Sequence, residues 1–403
     1  MARNFDVIVV GARCAGSPTA MLLARRGCRV LLVDRTAFPS DTISTHVIHP
    51  LGAAKLKSWG LLDKLIRTGC PAIETYSFDF GPIKISGRPG TADLPSAYCA
   101  RRTILDKLLA DAAVDAGADL REAFSVSELL VEDGQVVGVR GRTSEGATVT
   151  EHAEIVIGAD GRRSRVAEAV HAESYHQKPP LLAPCYSYWS NLPLHEFATY
   201  SRPYRGFAMA PTHDGLTMIV GGWPHAELDR VKDDLETHFY EILDLVPDVA
   251  ERVRDAKREA PFAGVPTPNY FRKPFGPGWA LVGDAGYLRD PITAQGISDA
   301  FRDAEQFAAA FDEFSSGARS YDDAMRDYQR KRDEAVLPMY EMTCGLATLA
   351  PPPPDMLGLF AALPGNQNAI DSFVRMNAGT ISPAQFFSPE NVQSIVGARR
   401  LAS

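Results

Sequence analysis

The sequence predicts an α/β fold: a Rossmann-like dinucleotide-binding domain, an inserted antiparallel β-sheet domain and a helical C-terminal region. Three observations predict it. The opening stretch reads as strand, glycine turn, helix, strand and acid. Two later apolar runs, Ile155-Val156-Ile157 and Trp279-Ala280-Leu281-Val282, also end in glycine–acid turns. Between them lies an aromatic, β-rich stretch (180–225) broken by turn signals.

The opening unit runs from Phe5-Asp6-Val7-Ile8-Val9-Val10 into Gly11-Ala12-Arg13-Cys14-Ala15-Gly16. A helical pattern follows through Ala20 to Ala24, then Arg29-Val30-Leu31-Leu32-Val33, Asp34 and Arg35. Gly11 permits a tight turn out of the strand, and Gly16 lets the helix lie close to the sheet. The helix N-terminus offers unpaired N–H groups to a pyrophosphate. Asp34 can accept from a ribose hydroxyl. Arg13 stands where the middle glycine of G-x-G-x-x-G is expected. Its side chain either turns aside or brings its guanidinium beside the phosphates.

Bulk properties exclude several classes. The 403 residues suit one cofactor domain plus an inserted module. The net charge of −8 and the lack of a long basic run argue against nucleic acid as the main partner. Six cysteines form no C-x-x-C pair, and no signal peptide precedes the first strand, so a cytoplasmic protein with reduced thiols is expected. No apolar run is long enough to span a bilayer. The nine histidines show no metal-ligand spacing, so no metal site is expected.

A loop follows Arg35, then Thr42-Ile43-Ser44-Thr45-His46-Val47-Ile48-His49-Pro50 and one helix from near Leu51 to Leu65. Tyr76–Phe80 and Ile83–Ile85 read as a strand pair. A helix starts at Arg101-Arg102. Val126 opens a β-meander with Asp133-Gly134 as its hairpin turn. The strand at 154–157 ends in Asp160-Gly161, with Arg165 close behind. The stretch Tyr186–Trp189, Phe207–Ala210 and Leu216–Val220 reads as an antiparallel sheet. Tyr188, Trp189, Met209, Met218 and Trp223 are its candidate ligand-facing side chains, read equally well as core. Helices are expected near 226–243 and 248–257. Gly283-Asp284 ends the next strand, and a loop with Asp290-Pro291 leads into a long amphipathic helix at Gly296-Ile297. Residues 318–345 form a further charged helix, and Pro351–Pro354 precede a helical end.

Together the three glycine–acid turns resemble the flavoprotein monooxygenase superfamily of the para-hydroxybenzoate hydroxylase type, whose relatives include geranylgeranyl reductases and flavin-dependent halogenases. The resemblance covers about 1–315. It implies an FAD-binding domain of the glutathione reductase type from 1–72, 99–175 and 270–315. A substrate-binding sheet domain would take 73–98 and 176–269, and a C-terminal helical region 316–403. With one Rossmann fingerprint only, FAD is the implied bound nucleotide, and NADPH or NADH would bind transiently. Gly11, Ala12, Arg13, Cys14, Ala15 and Gly16 match the pyrophosphate loop. Asp34 and Arg35 match the ribose-binding end. Thr45, His46 and Ile48 match the loop beside the flavin ring, and Arg102 an arginine contacting FAD. Val126 matches a backbone contact to the adenine end. Asp160, Gly161 and Arg165 match a motif serving both nucleotides. Gly283 and Asp284 match the acid turn at the ribityl or pyrophosphate region. Pro291, Gly296 and Ile297 match the stretch whose helix N-terminus faces the flavin pyrimidine edge, where a positive helix end stabilises anionic reduced flavin. Relatives often carry glycine where Ala294 and Arg13 stand.

The resemblance implies a monooxygenase, monomeric or homodimeric, that uses NAD(P)H and dioxygen to hydroxylate an aromatic or polyketide-like small molecule through a flavin C4a-hydroperoxide. His46 and His49 are candidate bases for a phenolic substrate. Two flavoenzyme alternatives stay open. A halogenase would carry W-x-W-x-I-P, which this sequence lacks. A reductase of isoprenoid double bonds fits the Arg102–Asp106 and Tyr186–Trp189 stretches. A non-catalytic flavin-binding protein is the remaining reading.

Overall fold

The computed structural model describes residues 4–402. The extremes of the first and last predicted segments, residues 1–3 and 403, lie outside them. Its central sheet runs Phe275–Gly276, Trp279–Leu281, Ile155–Gly158, Val7–Val10, Val30–Val33, Asp119–Arg121. All pairings are parallel except the first. Strands buried on both faces need continuous apolar runs, and these are VIVV, VLLV and IVIG. Alternate residues divide between the two faces. Val7, Val9, Leu32 and Ile157 pack toward the helices Gly16–Ala24, Arg102–Asp115 and Gly296–Ser315. Ile8, Val10, Leu31, Val33 and Val156 pack on the meander of Ser125–Glu132, Gln135–Arg142 and Thr148–His152. Positive φ at Asp133 (50°) and Gly134 (79°) gives its hairpin the twist of a primed turn.

The second sheet has seven strands, in the order Lys257–Arg258, Leu182–Ser190, Thr217–Pro224, Arg205–Pro211, Phe197–Arg202, Tyr76–Asp79, Lys84–Gly87. The expectation of an antiparallel sheet holds with one correction: Tyr76–Asp79 lies parallel to Phe197–Arg202. One face packs on Leu235–Leu243 and Pro247–Arg254, the other on the C-terminal helices. The single helix expected after Leu51 is two, Pro50–Ser58 and Leu62–Arg67. Gly60, at φ 78°, breaks it. Among the described residues no helix is long and apolar enough to cross a membrane.

Candidate cofactor and substrate site

The three glycine–acid turns leave adjacent strands at the same sheet edge, because Val7–Val10, Ile155–Gly158 and Trp279–Leu281 are parallel neighbours. Their backbones touch so closely that side chains are excluded. A Cβ on Gly11 (φ 103°) would lie 2.4 Å from the Ala159 carbonyl oxygen, and one on Gly16 1.7 Å from that of Gly11. A Cβ on Gly283 (φ 58°) would meet Ala15 Cβ at 2.7 Å. The N-terminus of Gly16–Ala24 is thereby held beside the other two turns.

Polar contacts lock this edge. The Ala12 amide donates to Asp34 Oδ2 at 2.8 Å, and the Thr36 amide and hydroxyl donate to Oδ1. Asp34 thus holds the glycine loop to its own strand end, with Arg35 exposed beside it. Arg13 takes the first of its two alternatives. Its guanidinium turns aside, paired with Asp106 at 2.6 Å and donating to Ser40 Oγ. Asp106 also accepts from Arg102 Nε and the Cys14 thiol, so one buried carboxylate fixes three side chains of the cradle. Burial raises the Cys14 thiol far above its ordinary range, which leaves it protonated.

Asp160 accepts from the Ser164 hydroxyl and the amides of Arg165 and Val166. Arg165 in turn donates to the Val126 carbonyl at 3.1 Å. These two residues therefore meet each other in the structure. Asp284 is exposed between buried neighbours. Desolvation, opposed by the nearby Arg102, pushes its carboxyl up to about 6. Gly296 is likewise exposed between buried neighbours, with nothing within 4 Å of a Cβ built on it. It begins the 20-residue helix Gly296–Ser315.

These residues fit FAD. The cradle that no Cβ can enter suits a pyrophosphate, Asp34 and Asp284 are placed for hydroxyl donors, and Arg102 supplies fixed positive charge. The helix end at Gly296 is open to a flavin edge. The loop before it is clamped from several directions. Asp290 caps Ile292, Thr293 Oγ1 bonds Thr343 Oγ1 at 2.8 Å, and Gln295 donates to the Asn377 carbonyl. Ala294 sits in the left-handed region, φ 53° and ψ 27°. Pro291 is half-buried and Ile297 buried.

Above this loop lies one face of the second sheet. Tyr186, Tyr188, Ala210 and Met218 share a cluster with Val47 and Ala294. His46 reaches it from the loop that Thr45 enters and Ile48 leaves, with a strained φ of 64°. His46 Nδ1 is 2.7 Å from the Ser44 carbonyl, and Nε2 is 2.6 Å from the Tyr188 hydroxyl. Burial pushes His46 down to about 4.

Three predicted pocket liners are corrected. Trp189, Met209 and Trp223 pack with Phe239 and Ile242 on the opposite face. Successive strand residues point to opposite faces, so Tyr188 and Trp189 cannot line one pocket. Pairing of Ala210 with Met218 puts Met209 on the far side. His49 as a candidate base is corrected too. Its Nε2 lies 3.1 Å from the Thr293 carbonyl and its Nδ1 2.8 Å from the hydroxyl of fully buried Tyr76. Its tyrosine partner is enclosed more deeply than Tyr188, and His49 tethers the 291–296 loop instead. Sequence reasoning missed Ser44, Tyr76 and Arg101. Arg101 lies with its guanidinium carbon 4.2 Å from the Tyr188 ring centroid. The Arg101-Arg102 doublet at a helix start was the available signal.

Comparison with known proteins identifies the family. The family model described as FAD binding domain matches residues 4–342. Over 347 residues the chain is 29% identical to the digeranylgeranylglycerophospholipid reductase of Methanosarcina mazei, spanning 83% of this chain and 82% of that protein. Its fold is similar to that of the myxobacterial chondrochloren halogenase, with TM-score 0.78, 24% identity, and 99% and 97% of the two chains covered. A mutant of the halogenase PltM, solved in complex with FAD, gives TM-score 0.74 at 16% identity over 98% and 86%. The chain therefore belongs to the FAD binding domain family, within the FAD-dependent monooxygenase superfamily, and is an FAD-dependent oxidoreductase.

Proposed function

We propose that the protein is an NAD(P)H-consuming monooxygenase that hydroxylates a phenolic or polyketide-like small molecule. When bound, FAD supplies the electrons drawn from NAD(P)H and the centre at which dioxygen is activated. The observation that carries the reading is the position of His46 between the Ser44 carbonyl and the Tyr188 hydroxyl. The Ser44 carbonyl can only accept, so Nδ1 bears the hydrogen and Nε2 must accept from Tyr188. The Tyr188 oxygen is left with lone pairs for a substrate hydroxyl. A proton leaving that hydroxyl can pass to the Tyr188 oxygen as the tyrosine's own proton moves to His46 Nε2. The substrate ring becomes electron-rich, as oxygen transfer to it requires. The apolar cluster around Met218, Ala294 and the C-terminal helices keeps water from the same space.

A second reading is favoured by the similarity to digeranylgeranylglycerophospholipid reductase: saturation of an isoprenoid double bond, with Tyr188 delivering the proton to carbon. One assay separates them. The yellow holoprotein is given NADPH and a panel of phenols under labelled dioxygen. Labelled product is expected, and Tyr188→Phe should lower its rate by about 10²-fold or more with the flavin spectrum unchanged. Saturation of an isoprenoid without oxygen, and no stimulation by any phenol, would overturn the monooxygenase reading.

A further inference from the structure

The Tyr188–His46 couple has a neighbour that nothing else in the chain accounts for. Arg101 caps the helix Arg102–Asp115, and its main-chain amide donates to His213 Nδ1. Its side chain is half-buried, with the guanidinium carbon over the Tyr188 ring. Among the described residues it makes no side-chain hydrogen bond and no ion pair, and its Nε is buried without a partner. The nearby Arg102 and Arg13, unlike Arg101, both pair with Asp106. Arg101 is therefore a cation whose side chain has no polar partner within the described residues. Stacking on an aromatic face occupies the guanidinium's π surface and leaves its N–H edge for a planar oxyanion.

We propose that Arg101 holds the substrate as an oxyanion, so that the preferred substrates are acidic phenols or enols rather than neutral aromatics. The inference rests on the Tyr188–His46 relay. The proton leaving the substrate oxygen goes through Tyr188 to His46, and the negative charge left behind lies beside Arg101. Burial holds free His46 uncharged. Its imidazolium persists only while an anion is adjacent, which couples proton transfer to substrate binding. The other titratable groups acting on Tyr188 are Tyr186, Asp41 and Cys99. Asp41 is exposed and bonded to its neighbour's amide, so it does not neutralise Arg101.

The test titrates a bound chromophoric phenol, 4-nitrophenol, on the FAD-loaded protein, reading the phenolate band across pH. In the wild type the bound phenol should ionise at least one pH unit below the free phenol. Arg101→Met should abolish that displacement and weaken phenolate binding about tenfold, the effect of one charge-assisted contact. Arg101→Lys, which keeps the charge but loses the planar edge, should fall between. An unchanged flavin spectrum in each variant reports an intact fold. Identical titrations in wild type and Arg101→Met, or no displacement or no binding in the wild type, would overturn the proposal. Tyr188→Phe run in parallel keeps the two ideas apart. Wild-type turnover in that variant removes the relay, while the bound-phenol titration still judges Arg101.

Discussion

His46 and His49 each use both ring nitrogens, one on a main-chain carbonyl and one on a tyrosine hydroxyl. Burial pushes both down to about 4, against an ordinary value of 6.5. As pH falls the unfolded chain takes up protons first, so the folded state loses ground. The stability these two groups sustain is complete above pH 6.5 and is lost as pH falls to 4, by roughly 2–3 kcal/mol per histidine. Asp290 works in the opposite sense. Its carboxyl is pushed up to about 7 by burial, so its contribution is present at low pH and is lost as pH rises through 7. His49→Gln should therefore flatten the fall in Tm between pH 6.5 and 4, measured on the holoprotein. An unchanged slope would show that His49 is not buried as a neutral ring. At this scale the sequence was legible in types but not in directions. Tyr188, Trp189, Met209, Met218 and Trp223 are all aromatic or soft apolar residues in strands. Alternation says which of them share a face, but not which face meets the cofactor domain. That was settled by Leu235–Leu243 and Pro247–Arg254 taking one side. Ser44 left no mark, because it acts through a carbonyl that every residue has, and the Tyr76 hydroxyl lies in a strand whose pattern does not say what it meets.

The elements that build the cradle were the most legible, since glycine turns carry a backbone requirement that the sequence states outright. Gly16→Ala should place its methyl 1.7 Å from the Gly11 carbonyl oxygen, so the purified variant is expected to be colourless or unfolded. Bound FAD at wild-type stoichiometry would refute that close approach. Ala294 presents the converse case, a side chain where the backbone favours none. Ala294→Gly removes left-handed strain and should stabilise the protein by up to about 1 kcal/mol, read as a rise in Tm. Ala294→Val should lower it. Arg13 shows where motif reasoning stops. A guanidinium can turn either way, and only Asp106, 93 residues along the chain, decided it.

Across the whole molecule, the second sheet is closed on its cofactor side by helices from the far end of the chain. Phe78, Phe360, Phe373 and Phe386 join strand and helix residues in one cluster that also reaches Ala294. A helical end after Pro351–Pro354 was foreseeable, but amphipathic patterning reports that a face is buried without naming what covers it. Phe373→Ala should destabilise the fold by about 3–5 kcal/mol. If the cover keeps water out, NADPH consumption should also become uncoupled from product formation. Full coupling in a destabilised variant would separate the two roles.

The order of the central sheet has a consequence for biosynthesis. The strands whose turns meet at the cradle are Val7–Val10, Ile155–Gly158 and Trp279–Leu281, far apart along the polypeptide. A nascent chain can lay down its first strand–helix–strand unit early. It owns no complete nucleotide seat until Asp284 has left the ribosome. Capture of the flavin is then a late event, and chains arrested before Trp279 should emerge without colour however well their first strands have paired.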